Sequence, residues 1–360
     1  MKHSITLNED QRAMLAGEQG LARQMGMRLL LDMCAMSGAD SLVPVNSAHL
    51  SGVSPLTGGL GLRLFLQRMA EAGGQGVAVP TTLNSAGCDE NQFAAMRIVA
   101  PDFLDHHREI ITAYAELGVQ TIQSCVPYEW DGTVPEATTG PTPVAWAESN
   151  AICYANSYAG LRTNRESGLS ALASALTGYA PDYGLLGDEA RRPNLRVVVT
   201  ADLADPTDFS ILGDWIGKQR KPSWNMPYGP IPFIDGLPTD LSHEQRKALS
   251  AAAANYGCAL LILDEAEPVN EAAIQDTLAF TPDVLAQRYA DLEPNQPVSL
   301  VVVGCPQASI GELRAVAALL KGKTVSADPA KPDQPPPLWV FTSAHAKYIA
   351  EQMGIAQTIH

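Results

Sequence analysis

The chain has 360 residues, of which 46% are apolar, and its 39 acidic side chains outnumber 24 basic ones to give a net charge of −15. This composition predicts a globular protein of about two domains with a sizeable core. The negative charge argues against nucleic acid and anionic membranes as partners, because both require a basic surface.

No membrane-span or signal-peptide pattern is found, and six scattered cysteines without a short repeat favour a reducing compartment, so we expect a cytoplasmic protein.

Helices and short strands alternate along the first half of the chain. The predicted elements are helices at 8–15, 18–36, 60–72 and 103–117, and strands at 42–45, 77–80 and 120–125. A polar turn follows each of the first two strands. This alternation predicts an α/β fold with a largely parallel sheet, in which ligands gather at the carboxyl ends of the strands.

The second half continues the α/β pattern after an irregular loop. The predicted elements are a loop at 129–147, helices at 148–161, 169–176, 241–255 and 312–320, buried strands at 196–200, 258–263 and 299–305, an extended connection at 222–238, a proline-rich insertion at 327–337 and a strand at 338–343. The breaks predict three portions, 1–190, 191–296 and 297–360. Most polar turns fall in the first portion.

Short polar side chains are concentrated in four segments. They are Ser47, His49 and Ser51; Thr81, Thr82 and Asn84; Glu148, Ser149 and Asn150; and Arg162, Thr163, Asn164 and Arg165. Helix capping explains any one segment alone. Four in one α/β chain favour a shared site for a small hydroxylated acid, with guanidinium groups for its carboxylate. Signatures of the common hydrolases, nucleotide-binding folds and zinc peptidases are absent from the sequence.

Two cysteines share a setting that suits a metal site. Cys125 and Cys305 each close a predicted strand and stand just before a proline break. A thiolate at a strand end is a reasonable ligand for iron or an iron–sulfur cluster. Spacing alone favours the plainer interpretation of two buried cysteines beside prolines.

Six segments together resemble the large catalytic subunit of aconitase X. They are residues 42–54, 79–87, 125–128, 145–151, 159–166 and 303–306, within which Ser-Ala-His, Pro-Thr-Thr-Leu-Asn and Arg-Thr-Asn-Arg-Glu are specific together. The resemblance implies an aconitase-like fold, with several parallel-sheet α/β/α portions around a central cleft. It also implies an iron-dependent hydro-lyase that works with a small swivelling domain, fused or as a separate subunit.

The resemblance assigns roles to the polar segments and to the two cysteines. Cys125 and Cys305 fall where the family places ligands of a [2Fe–2S] cluster or of mononuclear iron. Glu148, Ser47 and His49 become the candidate catalytic residues, and the other polar residues named above become candidate substrate contacts. The family's third cysteine, in an Asp-Thr-Cys context, has no counterpart after Lys347. We therefore expect a truncated chain, a ligand from elsewhere, or an altered or lost cluster.

Three functions stay open on the sequence. Bacterial family members dehydrate cis-3-hydroxy-L-proline to Δ1-pyrroline-2-carboxylate, and archaeal ones dehydrate mevalonate 5-phosphate. The few basic residues in the polar segments favour hydroxyproline, because a phosphorylated substrate calls for more Lys or Arg. The missing cysteine block favours a third function, a catalytically silent subunit that only binds a small partner domain.

Overall fold

A computed structural model describes residues 5–71, 75–98, 100, 102–130, 132, 134, 141–219, 221–238, 240–263, 269–323 and 336–359. Its helices are α1 Glu9–Ala16, α2 Leu21–Ser37, α3 Pro55–Glu71, α4 Phe103–Glu116, α5 Ser149–Tyr158, α6 Gly168–Thr177, α7 Pro206–Lys218, α8 His243–Ala254, α9 Pro282–Leu292, α10 Ile310–Leu320, α11 Ala344–Gln352 and α12 Ala356–Ile359.

Its strands are β1 Leu42–Pro44, β2 Ala48–Leu50, β3 Thr81–Leu83, β4 Thr142–Pro143, β5 Ala145–Trp146, β6 Leu161–Arg162, β7 Tyr179–Pro181, β8 Leu195–Val199, β9 Pro232–Asp235, β10 Thr277–Phe280, β11 Val301–Ala308 and β12 Leu338–Thr342. Most strand pairs are parallel, which confirms the predicted α/β class. Among the described helices, none combines the length and the apolar character needed to cross a bilayer.

The amino-terminal helix begins where the sequence predicts. The Asn8 side chain accepts from the Gln11 backbone N–H, and the Gln11 side chain accepts from the Asn8 N–H, so both free donors are satisfied. The helix ends at Gly17, whose φ of +87° is left-handed and suits a residue without a Cβ. Local side-chain chemistry therefore sets both ends of α1.

A small parallel sheet of order β3-β2-β5 lies at the centre of the first portion, with Ala48 paired to Thr81 and to Ala145. The predicted positions of the strands are wrong here. The sequence predicts strands at 77–80 and 120–125 and turns in the polar segments, whereas β2 and β3 lie inside those polar segments. Both strands are fully buried, and polar side chains are tolerated in them because neighbouring strands supply hydrogen-bond partners.

Two further differences concern the edges of this portion. Strand β1 pairs antiparallel with β7 and so does not join the parallel sheet. The predicted loop at 129–147 contains the short strands β4 and β5, of which β4 pairs with β6. Residues 142–146 form strands through backbone pairing with strands distant in sequence, which no local pattern reveals.

The second portion has a parallel sheet of order β10-β8-β9 with α7 and α8 packed together beside it. The two helices pack closely at Gly213, which has no Cβ. A Cβ there would lie 2.5 Å from the Leu249 carbonyl oxygen. The predicted strand at 258–263 is reduced to one bridge between Phe233 and Ile262, and the predicted extended connection contains β9.

The third portion is a two-stranded parallel sheet, β11 and β12, with α10 and α11. The predicted buried strand at 299–305 is wrong in burial: Val301, Val302 and Cys305 are exposed, and β11 continues past Cys305. Its small core contains Ala308, Leu313, Ala346 and Ala350. Most of the predicted insertion at 327–337 lies outside the described residues.

The predicted boundaries at 190 and 296 stay a prediction. One apolar cluster combines Trp146 and Leu161 with Ile231 and Leu260, so it contains residues from both sides of 190.

Candidate active site

The Glu148 carboxylate is the centre of the polar cluster. One of its oxygens accepts hydrogen bonds from Asn84 Nδ2 at 2.7 Å and from Ser51 Oγ at 3.2 Å. The other accepts from Ser149 Oγ at 3.3 Å and from Asn150 Nδ2 at 3.4 Å. The fold thus unites three of the four polar segments, from β2, β3 and the start of α5, around one carboxylate.

The backbone of Glu148 is held in an unusual conformation. Its φ is +105°, in the region that favours glycine, and it stands directly before α5. Such strain persists only where the surroundings over-determine it, and it is concentrated at functional sites. Four hydrogen-bond donors fix the direction of the side chain, so the carboxylate is preorganised to bind or to exchange a proton.

His49, one of the candidate catalytic residues, is completely buried. Its Nδ1 is 2.9 Å from Thr82 Oγ1, and its ring lies edge-on to Trp146 with centroids 6.4 Å apart. Within the described residues, Nε2 has no hydrogen-bond partner. Burial lowers the pKa of His49 to about 3, so the imidazole is neutral at physiological pH.

Ser47 and Thr81 are also interior residues. The Ser47 hydroxyl accepts from Trp146 Nε1 at 3.1 Å, and the Thr81 hydroxyl donates to the Val79 carbonyl at 2.8 Å. Both are at most 1% exposed. Among the interior side chains, His49 and Thr82 join β2 to β3, the strands that directly precede Ser51 and Asn84.

The fourth polar segment divides into interior and surface residues. Thr163 and Asn164 bond to backbone groups of Trp146, Tyr183 and Leu185. Arg162 donates to the Leu186 carbonyl at 2.9 Å and pairs with Asp188. These contacts stabilise a neighbouring loop and use the guanidinium that was predicted to bind a carboxylate.

Arg165, unlike Arg162, lines a cavity next to Glu148. The cavity measures about 320 Å³ and is lined by Glu148, Ser149, Ile152, Arg165 and Glu166. Burial raises the pKa of Glu166, and a hydrogen bond with Ser170 opposes that rise. One guanidinium and two carboxyl groups therefore face a space large enough for a small amino acid.

The two candidate metal ligands come together although 180 residues separate them in sequence. The backbone N–H of Gln307, two residues after Cys305, donates to Cys125 Sγ at 3.2 Å. Burial raises the pKa of the Cys125 thiol to about 11; the Gln307 N–H and the Lys247 ammonium oppose this rise, and negative charge on Glu148 and Cys305 adds to it. Both thiols and Glu148 thus share one electrostatic neighbourhood.

The cysteine pair is also connected to the polar cluster by a hydrogen bond. Asn150 Nδ2 donates to the Cys125 carbonyl at 2.9 Å as well as to Glu148, and Asn150 Oδ1 accepts from the Tyr128 hydroxyl at 2.8 Å. A metal held by these sulfurs would therefore lie near the carboxylate of the cluster.

The donor set fits an iron or iron–sulfur group in chemical type. Thiolates are the ligands that iron–sulfur clusters use, and metal binding releases the thiol protons that burial otherwise retains. In the described ranges, no group of three or more His, Cys, Asp or Glu side chains is placed to hold a metal ion. This part of the chain offers two sulfur ligands.

A buried charge cluster beside the cysteines was missed by the sequence reasoning. Lys247 is 1% exposed, and its ammonium contacts the Gln307 carbonyl, Glu312 at 2.7 Å and Glu129 at 3.4 Å. Glu129 also lies 2.8 Å from His243 Nε2. The signal that could have found Lys247 is its helical spacing: it shares a face of α8 with Ser250 and Ala254, both buried.

Comparisons with known proteins concern the chain as a whole. Residues 4–189 match the family model described as the first domain of aconitase X. The chain is 31% identical to the phosphomevalonate dehydratase large subunit of Thermococcus kodakarensis, over 98% of this chain and 85% of the relative. It is 34% identical to the protein of that name from Methanothermobacter thermautotrophicus, over 99% and 84%.

A second kind of relative has a different substrate in its name. The cis-3-hydroxy-L-proline dehydratase of Hypocrea jecorina is 32% identical over 99% of this chain and 59% of the relative. Among solved structures, the holo-form of Thermococcus kodakaraensis aconitase X superimposes with a TM-score of 0.81 and 31% identity, covering 99% of this chain and 86% of that one.

Proposed function

This chain belongs to the aconitase X family and is a dehydratase, and we propose that it removes water from cis-3-hydroxy-L-proline to give Δ1-pyrroline-2-carboxylate. The proposal includes a small partner subunit, because curated relatives are named large subunits. It also includes iron, as a [2Fe–2S] cluster or a mononuclear ion, bound by Cys125 and Cys305.

The charge of the cavity carries the choice of substrate. Arg165 supplies one guanidinium, and Glu148 and Glu166 supply two carboxyl groups. Hydroxyproline has one carboxylate and one ring ammonium, which these groups complement. Mevalonate 5-phosphate adds a phosphate to its carboxylate, with a charge of about −1.5 to −2 at neutral pH, and would meet carboxyl groups instead of further cations.

Each residue then has a definite task. Arg165 binds the substrate carboxylate, and Glu148 contacts the ring nitrogen or moves a proton at its carboxylate oxygens. The Glu148 side chain is oriented by hydrogen bonds from four donors, on Ser51, Asn84, Ser149 and Asn150. When bound, the iron group supplies Lewis acidity toward the leaving hydroxyl.

The decisive experiment uses the full chain co-expressed with a small swivelling-domain partner and reconstituted anaerobically with iron and sulfide. We expect stoichiometric iron, a visible absorption band, and a kcat/KM for cis-3-hydroxy-L-proline at least about 100-fold above that for mevalonate 5-phosphate. The opposite preference would overturn the substrate. If the wild type binds no more iron than Cys125→Ser and Cys305→Ser do, the metal site is overturned and a silent subunit is favoured.

Matched arginine variants separate binding from structure. Arg165→Met is expected to raise KM about tenfold or more with a smaller effect on kcat, because it removes a contact made in the ground state as well. Arg162→Met is the control: it breaks the contacts with Leu186 and Asp188, so it lowers the urea midpoint and leaves KM nearly unchanged. Equal KM values in the two variants would contradict the assignment of Arg165.

A further inference from the structure

The segment that carries Cys305 is attached to the rest of the chain through Gln307. Its backbone N–H donates to Cys125 Sγ. Its side-chain amide donates to the Gln123 carbonyl at 3.2 Å and to Ser85 Oγ at 3.3 Å. One residue of the third portion therefore bonds to the first portion at three points around Cys125.

Lys247, in α8, contacts the chain segments that follow both cysteines. Its ammonium donates to the Gln307 carbonyl, two residues beyond Cys305, and pairs at 3.4 Å with Glu129, four residues beyond Cys125. It also pairs with Glu312 in α10 at 2.7 Å. An ammonium buried to this degree is stable only while such partners surround it, so Lys247 favours the arrangement in which all three oxygens are present.

Other directional contacts support the same arrangement. Ser309 Oγ donates to Glu244 Oε1 at 2.9 Å. A Cβ on Gly311 would lie 2.1 Å from that same oxygen, so the start of α10 lies close against the Glu244 side chain. The apolar core of the third portion is formed by its own residues. Polar contacts therefore set how this portion sits against α8.

We propose that Lys247 is a positioning residue of the two-sulfur site. By holding the Gln307 carbonyl, Glu312 and Glu129 together, it keeps the Gln307 N–H on the Cys125 sulfur and Cys305 beside it. The inference rests on the proposed function, which assigns the two cysteines to iron. Lys247 acts through the backbone of residues 305–307 and has no role in the reaction itself.

The test compares Lys247→Met, Lys247→Arg and Lys218→Met in the full chain, reconstituted anaerobically with ferrous iron and sulfide. Lys218 is the control, since its ion pair with Asp214 at 2.8 Å lies at the surface. We expect Lys247→Met to lose iron to a chelator about 10–100-fold faster than the wild type. Its visible band should also shift in wavelength, because the N–H bond to sulfur weakens; Lys247→Arg should stay within about threefold, and Lys218→Met should match the wild type.

The outcomes separate this inference from the proposed function. If the wild type binds no iron at the cysteines, the proposed function fails. If the wild type binds iron and a folded Lys247→Met releases it at the same rate with the same spectrum, the positioning role is overturned while the metal site stands. A folded Lys247→Arg that loses iron as fast as Lys247→Met would equally overturn it.

A second variant covers the case in which Lys247→Met does not fold. Glu312→Gln removes one charge from the cluster but keeps an oxygen that accepts the Ser309 N–H, now 2.8 Å from Glu312 Oε2. We expect iron release about 3–10-fold faster than in the wild type. Unchanged release in Glu312→Gln would overturn the proposal.

Discussion

The first and third of the predicted portions hold the residues of the proposed site in different ways. In the first portion, Ser51, Asn84 and Glu148 project from short elements whose neighbours Ala48 and Leu50 are fully buried. In the third portion, Cys305 is exposed on β11, where Val302 is 52% exposed. One half of the proposed site is thus held by a large apolar core, and the other half by the polar contacts of Gln307 and Lys247.

This difference shows where the site is rigid and where it is adjustable. The strands beneath the carboxylate cluster are buried, so the cluster takes its geometry from the packed core of the first portion. A portion with a small core opens at lower free-energy cost, so its position depends on the charges that hold it. A metal bound by Cys125 and Cys305 would stabilise the contact between the two portions, because it binds only while both sulfurs are in place.

The largest effect is expected at Glu148, in the rigid half. Glu148→Gln should lower kcat by roughly 100- to 10,000-fold, because it removes a proton-exchanging or charge-pairing group from the cluster. The amide oxygen still accepts hydrogen bonds from Asn84 and Ser51, but the amide NH2 replaces the oxygen that accepts from Ser149 and Asn150. The free energy of unfolding should therefore fall by about 1–3 kcal/mol. Steady-state kinetics and urea unfolding measure the two quantities.

Glu166→Gln is the control for that experiment, since Glu166 lines the same cavity without the four donors of Glu148. It should alter KM more than kcat. An unchanged kcat in Glu148→Gln, or a larger loss of kcat in Glu166→Gln, would assign the catalytic carboxyl differently.

A pair of core truncations tests the contrast between the portions directly. Leu50→Ala, at 0% exposure in the large core, should cost about 2–5 kcal/mol of global unfolding free energy. Leu313→Ala, at 3% exposure in the small cluster, should cost less globally but loosen the third portion and speed iron release. Urea unfolding and amide hydrogen exchange in α6 and α10 measure both effects.

In α6, protection of the backbone amides from hydrogen exchange should fall in Leu50→Ala and stay unchanged in Leu313→Ala. If both variants reduce protection equally in α6 and α10, the two portions unfold as one cooperative unit and the contrast between them is wrong.

The effect that is smallest near neutral pH, where His49 is neutral in both the folded and the unfolded chain, concerns the pH dependence of stability. The native pKa of about 3 lies below the ordinary value of 6.5, so between these pH values the unfolded chain binds a proton that the native state excludes. The free energy of unfolding should therefore fall by up to about 1.4 kcal/mol for each pH unit of acidification in this window. His49→Gln should remove that part of the slope, whereas the exposed His345→Gln should retain it. An unchanged slope in His49→Gln would contradict the burial of a neutral imidazole.

The sequence predicted the helices more accurately than the strands. Asn8 caps α1 through its own side chain, as predicted, which is chemistry within a few residues. The Ser309 cap of α10 lies before the predicted start at 312. The strands β2 and β3 were not predicted because polar residues such as Ser47 to Ser51 are typical of turns. Only pairing with strands distant in sequence makes these residues part of a buried sheet. Likewise, Arg162 and Arg165 look equivalent in sequence, and the Leu186–Asp188 loop alone distinguishes them.

By itself, the order of the residues determined the α/β class, the ends of helices such as α1, α4 and α6, the four polar segments and the two cysteines to examine. Those features depend on periodicity and on side chains close in sequence. The helices α7 and α9 were missed. Only the tertiary structure decided that Glu148 gathers donors from three segments, that His49 is buried and neutral, and that Lys247 contacts the segments of both cysteines. These properties arise from contacts between residues far apart in sequence, whose burial and charge neighbours exist only once the chain has folded.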